Sequence, residues 1–182
     1  MRKLLVFVVM VLFFASCGTR RTDEGVVING VRWATNNVDV PGTFAKNPED
    51  VGMFFQWNRR RGWATRGETI TWGNSMMRTG EIWTRRNDPC PRGWRMPTRE
   101  ELASLNNAGS EWTTKNGVNG RLFGSKCNQI FLPVSGLGTT GVYWSSTPMG
   151  TTTAWYLYLN RNNSGMGALT RNHRFNVRCV AK

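Results

Sequence analysis

The sequence predicts a mixed fold: one short helix set among many short strands. Three observations predict it. Thr98-Arg99-Glu100-Glu101 has the form of a helix capping box. Asn29-Gly30 lies between two β-forming triplets, a strong hairpin signal. After Gly109 the chain turns to short runs of β-formers separated by Gly, Asn and Ser.

Residues 1–16 read as a signal sequence. Arg2 and Lys3 make a positive start, and Leu4 to Phe14 is an unbroken apolar run. Spanning a bilayer takes about 20 apolar residues, so this run has the length of a signal-peptide core. It ends in Phe14-Ala15-Ser16-Cys17. Two small residues before a cysteine match the lipoprotein cleavage pattern, which makes Cys17 the acylated residue; Phe14 departs from the usual Leu. Gly18 rather than Asp follows, so the expected address is the outer membrane, on its cell-surface or periplasmic face. Residues 17–25 read as a tether. Residues 26–182 read as one domain, long enough to bury a real core.

The chain carries 24 Lys+Arg against 11 Asp+Glu. Arginine supplies 18 of the 22 cations beyond the leader. Such a balance suggests an anionic neighbour. Arg59-Arg60-Arg61 beside Trp57 and Trp63 is the best local case for stacking plus phosphate contact, against a plain solvated basic loop. No nucleic-acid-binding motif accompanies the charge, and an exported protein rarely meets nucleic acid, so none is expected as a partner.

With Cys17 lipidated, Cys90, Cys127 and Cys179 remain. Export permits disulfides, and three single pairings are open. Cys90 with Cys179 is the pairing expected, which leaves Cys127 over. His173 is the only histidine and no Cys-x-x-Cys is present, so neither a metal nor a cofactor is expected.

Val26-Val27-Ile28 and Val31-Arg32-Trp33 form the first hairpin. Residues 41–88 read as long loops around a short element at Met53–Asn58, pinned by Trp63, Trp72 and Trp83. Pro97 fixes the entry to the helix, near 98–108, and Gly109 stops it. Glu100 and Glu101 have a complete structural explanation in the cap. Ile130-Phe131-Leu132, Val142-Tyr143-Trp144, Trp155 to Asn160 and Phe175 to Val180 read as strands. Alternation puts Trp155, Leu157 and Leu159 inward and Tyr156, Tyr158 and Asn160 outward. It likewise puts Phe175, Val177 and Cys179 inward, opposite Asn176 and Arg178.

Five segments together resemble a known family. They are Gly30-Val31-Arg32-Trp33-Ala34-Thr35-Asn36-Asn37-Val38, Asp88-Pro89-Cys90-Pro91-Arg92-Gly93-Trp94-Arg95-Met96-Pro97-Thr98, Phe131-Leu132-Pro133, Tyr143-Trp144-Ser145-Ser146-Thr147 and Val177-Arg178-Cys179-Val180. The chain is similar in these to the Fibrobacter succinogenes major paralogous domain, abundant in gut Bacteroidetes lipoproteins. The resemblance implies an α+β, C-type-lectin-like fold. Gly93 to Thr98 also resembles a segment of formylglycine-generating enzymes. Those enzymes need a reactive cysteine pair near the C-terminus, where this chain has only Cys179, so their activity is not carried over. The calcium-binding triplets of calcium-dependent lectins are absent. Arg174 and Asn176 depart from the Gly and Ser common in relatives, and the stretch from Pro133 to Tyr143 is short. Asn160, Asn162, Asn163, Asn172 and Asn176 suit a domain diversified by a retroelement, but ordinary loop asparagine is the favoured reading, since Asn is a common turn residue.

The expected function is therefore a membrane-anchored lipoprotein domain that binds a glycan or protein ligand, anionic by charge, without catalysis. Its face would comprise Tyr156, Tyr158, Asn160, Arg161, Asn162, Asn163, Arg171, Asn172 and His173. A structural or adhesive subunit of a surface assembly is the alternative. For an enzyme, no Ser/His/Asp set or phosphate-binding loop is visible.

Overall fold

The computed structural model describes residues 24–64, 82–135 and 138–182. The signal sequence, Cys17, most of the 17–25 tether, Arg66, Trp72 and Arg78 lie outside the described residues. Among those described, no helix is long and apolar enough to cross a membrane.

Thirteen strands and one α-helix make up the described fold, with a 3-10 turn at Arg85–Asn87. Asn29 and Gly30, both at positive φ (48° and 80°), turn β1 (Val26–Ile28) onto β2 (Val31–Trp33). β3 (Phe54–Gln56) pairs with β4 (Gly62–Trp63). β5 (Trp94–Arg95) leads into α1 (Arg99–Asn107). A meander follows: β6 (Ser110–Lys115), β7 (Val118–Ser125) and β8 (Asn128–Pro133). A second meander comprises β9 (Thr140–Met149), β10 (Thr153–Asn160) and β11 (Ser164–Thr170). β12 (Arg174–Phe175) joins β3, and β13 (Val180–Ala181) lies between β2 and β5.

This corrects the α+β, C-type-lectin-like expectation. Strand accounts for 46% and helix for 9%, and the architecture is all-β and sandwich-like with antiparallel sheets. The one helix is an accessory that fills a gap. Its Leu102 and Leu105 are fully buried against Leu157 and Leu159 of β10 and Phe123 of β7. The expectation failed at residues 110–128. Asn116 and Gly117, at φ 47° and 82°, turn β6 back on β7. The strands there, Ser-Glu-Trp-Thr-Thr-Lys and Val-Asn-Gly-Arg-Leu-Phe-Gly-Ser, are mostly polar or glycine, so apolar alternation does not mark them.

The last strand run is also corrected. Alternation placed Asn176 and Arg178 outward, yet both are fully buried. Chain runs on both sides of this segment: Val38 N–H donates to Val177 O, Ala34 N–H to Cys179 O and Asn176 N–H to Val142 O. With both edges paired, the segment lies inside the fold and residues 175–180 are all buried on either face, so the polar ones need partners. Asn176 donates to Val51 O at 2.7 Å. Arg178 donates to Asn37 Oδ1 (3.0 Å), Ala34 O (3.1 Å) and Phe131 O (2.8 Å). Burial lowers its pKa to about 10. The neighbouring Tyr143 hydroxyl donates to Pro133 O, and burial raises its pKa to about 12.

The motif segments meet one another inside the fold. β9 carries a bulge opposite Trp155, since Ala154 pairs with Pro148 while Tyr156 pairs with Trp144. The bulge re-aims Ser145–Thr147 toward the helix start. Ser146 N–H and Oγ–H donate to Pro97 O, and Arg99 N–H donates to Thr147 Oγ1. Two buried indoles find carbonyls: Trp144 Nε1–H donates to Phe55 O and Trp57 Nε1–H to Ser145 O, each at 2.9 Å.

Candidate ligand-binding site

β10 sorts its side chains by alternation. Leu157 and Leu159 enter the core beneath α1. Trp155 is half-buried instead of buried, with the Arg99 guanidinium over its ring at 4.4 Å. Tyr156 and Tyr158 take the opposite face and are half-buried. The floor under them is glycine: Tyr156 pairs with Gly167 and Tyr158 with Gly165. A Cβ at either glycine would come within 2.8 Å of the facing tyrosine. Both rings therefore lie across β11 in hollows that only glycine leaves open. Tyr156 is also wedged edge-on against Trp144 and Phe175, with centroids 6.2 and 5.1 Å away.

The other seven face residues fall into two groups at opposite ends of β10. At one end, Asn160 Oδ1 accepts from Asn162 N–H and Asn163 N–H, which builds the hairpin turn. Arg161, Asn162 and Asn163 are exposed there. At the other end Arg171 is 3% exposed. Its guanidinium donates to Thr153 O and Gly150 O and lies 4.1 Å over the Trp57 ring. Asn172 Oδ1 accepts from Thr170 Oγ1, and Asn172 O accepts from Gln56 Nε2. The His173 ring contacts Thr170 through Nδ1 and lies beside Phe175. Seven residue steps separate Thr153 from Asn160, or roughly 23 Å along a strand. The nine residues thus form a strip with the tyrosines at its middle, and Arg171 is engaged in packing.

A second concavity has no counterpart in the sequence reading. Trp83, Arg85, Asp88, Arg95, Ser146 and Lys182 line a cleft of about 550 Å³. A neighbouring one of about 360 Å³ shares Arg85, Asp88 and Lys182 and adds Arg60, Arg92 and Cys90. Five cations thus surround one carboxylate. Arg95 is held by Glu101 at 2.6 and 2.8 Å. Arg60, Arg85 and Arg92 form no ion pair among the described residues. Burial raises the Asp88 pKa, opposed by hydrogen bonds from Cys90 N–H and Met96 N–H. These cations come from three regions of the chain, at 60, 85–95 and 182, so no single local spacing announces the group.

The arginine-rich composition has a second use. Arg61 and Arg174 both lie over Trp63, at 5.5 and 4.4 Å, adding to the Arg99–Trp155 and Arg171–Trp57 pairs. Such stacking stabilises loops that lack strand pairing. The Arg59–Arg61 run is thereby divided: Arg61 sits on Trp63 and Arg60 faces the cleft.

Cys90 and Cys179 are disulfide-bonded, and Cys127 is exposed at the β7–β8 turn. Glu101 is spent on the capping box and on Arg95. Among the described residues, no three of His, Cys, Asp and Glu come together as a metal site would require. A family model for the Lcl C-terminal domain matches residues 29–181. No curated protein and no solved structure matches the chain.

Proposed function

The chain belongs to the Lcl C-terminal domain family, and from that premise we propose a lipid-anchored surface lipoprotein whose β-rich domain binds an anionic glycan or protein without catalysis. The family supports a lipoprotein-type surface domain. The finer likeness, to the Fibrobacter succinogenes major paralogous domain, rests on the five motif segments. The anchor rests on Ala15-Ser16-Cys17, and its outer-membrane address on Gly18.

One observation carries the binding reading: Arg60, Arg85, Arg92 and Lys182 converge on a cleft whose lining includes a single acidic side chain, Asp88. Bringing like charges together costs free energy in the unliganded protein, and an anion recovers it. Arginine forks suit carboxylate, sulfate or phosphate groups. A second reading puts the ligand on the tyrosine strip, because Tyr156 and Tyr158 present half-exposed rings on a glycine floor.

Binding of the chain to immobilised acidic and neutral glycans and to an acidic peptide separates the two readings. Changing Arg60, Arg85 and Arg92 to Ala together should weaken binding to acidic probes at least tenfold and flatten its salt dependence. A Tyr156→Ala, Tyr158→Ala variant should bind normally. The reverse pattern moves the site to the strip, and undiminished binding in both variants removes both sites.

A further inference from the structure

The β6 strand has an open edge and a charge pattern that fits a second copy of itself. β6 is the outer strand of its sheet. It is joined to β7 by the two-residue Asn116-Gly117 turn, so the closing pair Lys115–Val118 is hydrogen-bonded within the hairpin. Alternation then makes Glu111, Thr113 and Lys115 face β7 with their backbone groups. Those of Ser110, Trp112 and Thr114 point away from it. The outward amide and carbonyl groups of Trp112 and Thr114 meet no backbone partner. Glu111, Thr114 and Lys115 are exposed, and Trp112 and Thr113 are half-buried. Among the described residues neither Glu111 nor Lys115 forms a salt bridge, though the Lys115 charge reaches the Glu49 carboxylate, which Asn116 holds.

We infer that two copies of the chain pair antiparallel along β6, about a two-fold axis at Thr113. Outward residues must meet outward residues, which permits only every second register. In the register centred on Thr113, Trp112 bonds with Thr114 of the second copy, and the reverse. Glu111 then stands opposite the second copy's Lys115, and Lys115 opposite its Glu111. Two cross-strand ion pairs form on one face, and the rest of Trp112 is covered on the other. The contact is isologous and closes. β11, whose outer side is also an edge, does not offer this. It carries no charge, and its flanks are Arg161 and Arg171, so self-pairing there gains no opposite charges. β8 is packed on by β1. In a chain of net charge +13, an edge that places acid against base is where two copies meet with least repulsion.

The test is cysteine cross-linking of the full chain in intact cells, in a Cys127→Ser background. Thr113 faces its own copy as a non-hydrogen-bonded pair, with Cα atoms about 4.5 Å apart. That separation lies within disulfide reach, roughly 4.4–6.8 Å. Thr113→Cys should therefore yield a covalent dimer under mild oxidant, whereas Glu111→Cys and the distant Ser125→Cys should not. Glu111→Lys added to Thr113→Cys should cut the dimer yield about tenfold by setting Lys against Lys. Adding Lys115→Glu as well should restore it, which a folding defect would not do. Equal yields at 113 and 125, cross-links only to other proteins, or no rescue by the double swap would each overturn the inference.

Discussion

Arg178 is fully buried and meets no carboxylate among the described residues, so its charge is carried by three oxygens from three parts of the chain, with the Tyr143 hydroxyl beside it. Asn37, one of them, also donates to Val51 O and to the Tyr143 hydroxyl. Deleting the guanidinium would leave two carbonyls and an amide oxygen without donors in the interior. At about 1 kcal/mol or more for each orphaned group, Arg178→Met should cost about 3 kcal/mol, despite removing a buried charge. Arg178→Lys should not recover this, because a single ammonium lacks the fork that spans the three acceptors. Denaturant midpoints measure both, and a Met variant as stable as the parent would refute the assignment. The same residue marks where reading from sequence stopped. Alternation put Arg178 outward, since period-two patterning says which side chains share a face but not whether that face is covered. The motif around it is recognisable for packing reasons: Ala34, Asn37 and Val38 bond to 177–179 across more than a hundred residues of chain.

Local chemistry at the start of α1 was fully legible. Thr98 Oγ1 accepts from Glu101 N–H, and the Glu101 carboxylate accepts from Thr98 N–H. Burial pushes the Glu101 pKa up, but the Arg95 hydrogen bond, the Thr98 N–H and the Arg95 charge outweigh it and hold it below the usual value. A depressed carboxylate contributes stability above its unfolded pKa and loses it as pH falls through the folded value. Asp88, raised by burial, acts with the opposite sign and contributes less as pH rises. Thr98→Ala should thus cost about 1 kcal/mol at neutral pH. Glu101→Gln should reduce the stability loss expected on acidification below pH ~4.5, leaving the part due to Glu49, which is also held below its usual value. Thermal melts of both variants against pH would show it, and a Gln variant that loses as much stability there as the parent would assign the loss elsewhere. The first hairpin was equally legible, and so was β10 apart from Trp155, because turn residues and apolar alternation coincide in them. β6 and β7 carry the same Asn-Gly signal at 116–117. Their flanks, Thr113-Thr114-Lys115 and Val118-Asn119, are too polar to show it, because this sheet buries one face only in part.

Across the whole molecule, the Cys90–Cys179 bridge joins two segments 89 residues apart. Between them lie β5, α1, both three-stranded meanders and β12, so the bridge closes most of the described domain into one loop. The paired ends, β5 and β13, have only two residues each and could not hold that closure firmly alone. In the chain-entropy account such a loop is worth roughly 4–5 kcal/mol as an upper figure. The bridge also shapes the basic cleft, since Cys90 lines it and Lys182 lies three residues past Cys179. That cleft could not be read from sequence, because its cations are gathered from residues 60 to 182 only after β13 docks on β5. Replacing Cys90 and Cys179 by Ala, or reducing the parent protein, should therefore lower the denaturation midpoint and weaken binding of acidic probes together. Cys127→Ser should change neither, since that side chain is exposed and outside both the bridge and the cleft. If reduction lowered stability while acidic probes bound as before, the cleft would stand without its closure. The anion site would then have to be sought along the tyrosine strip, which β9, β10 and β11 hold without help from the bridge.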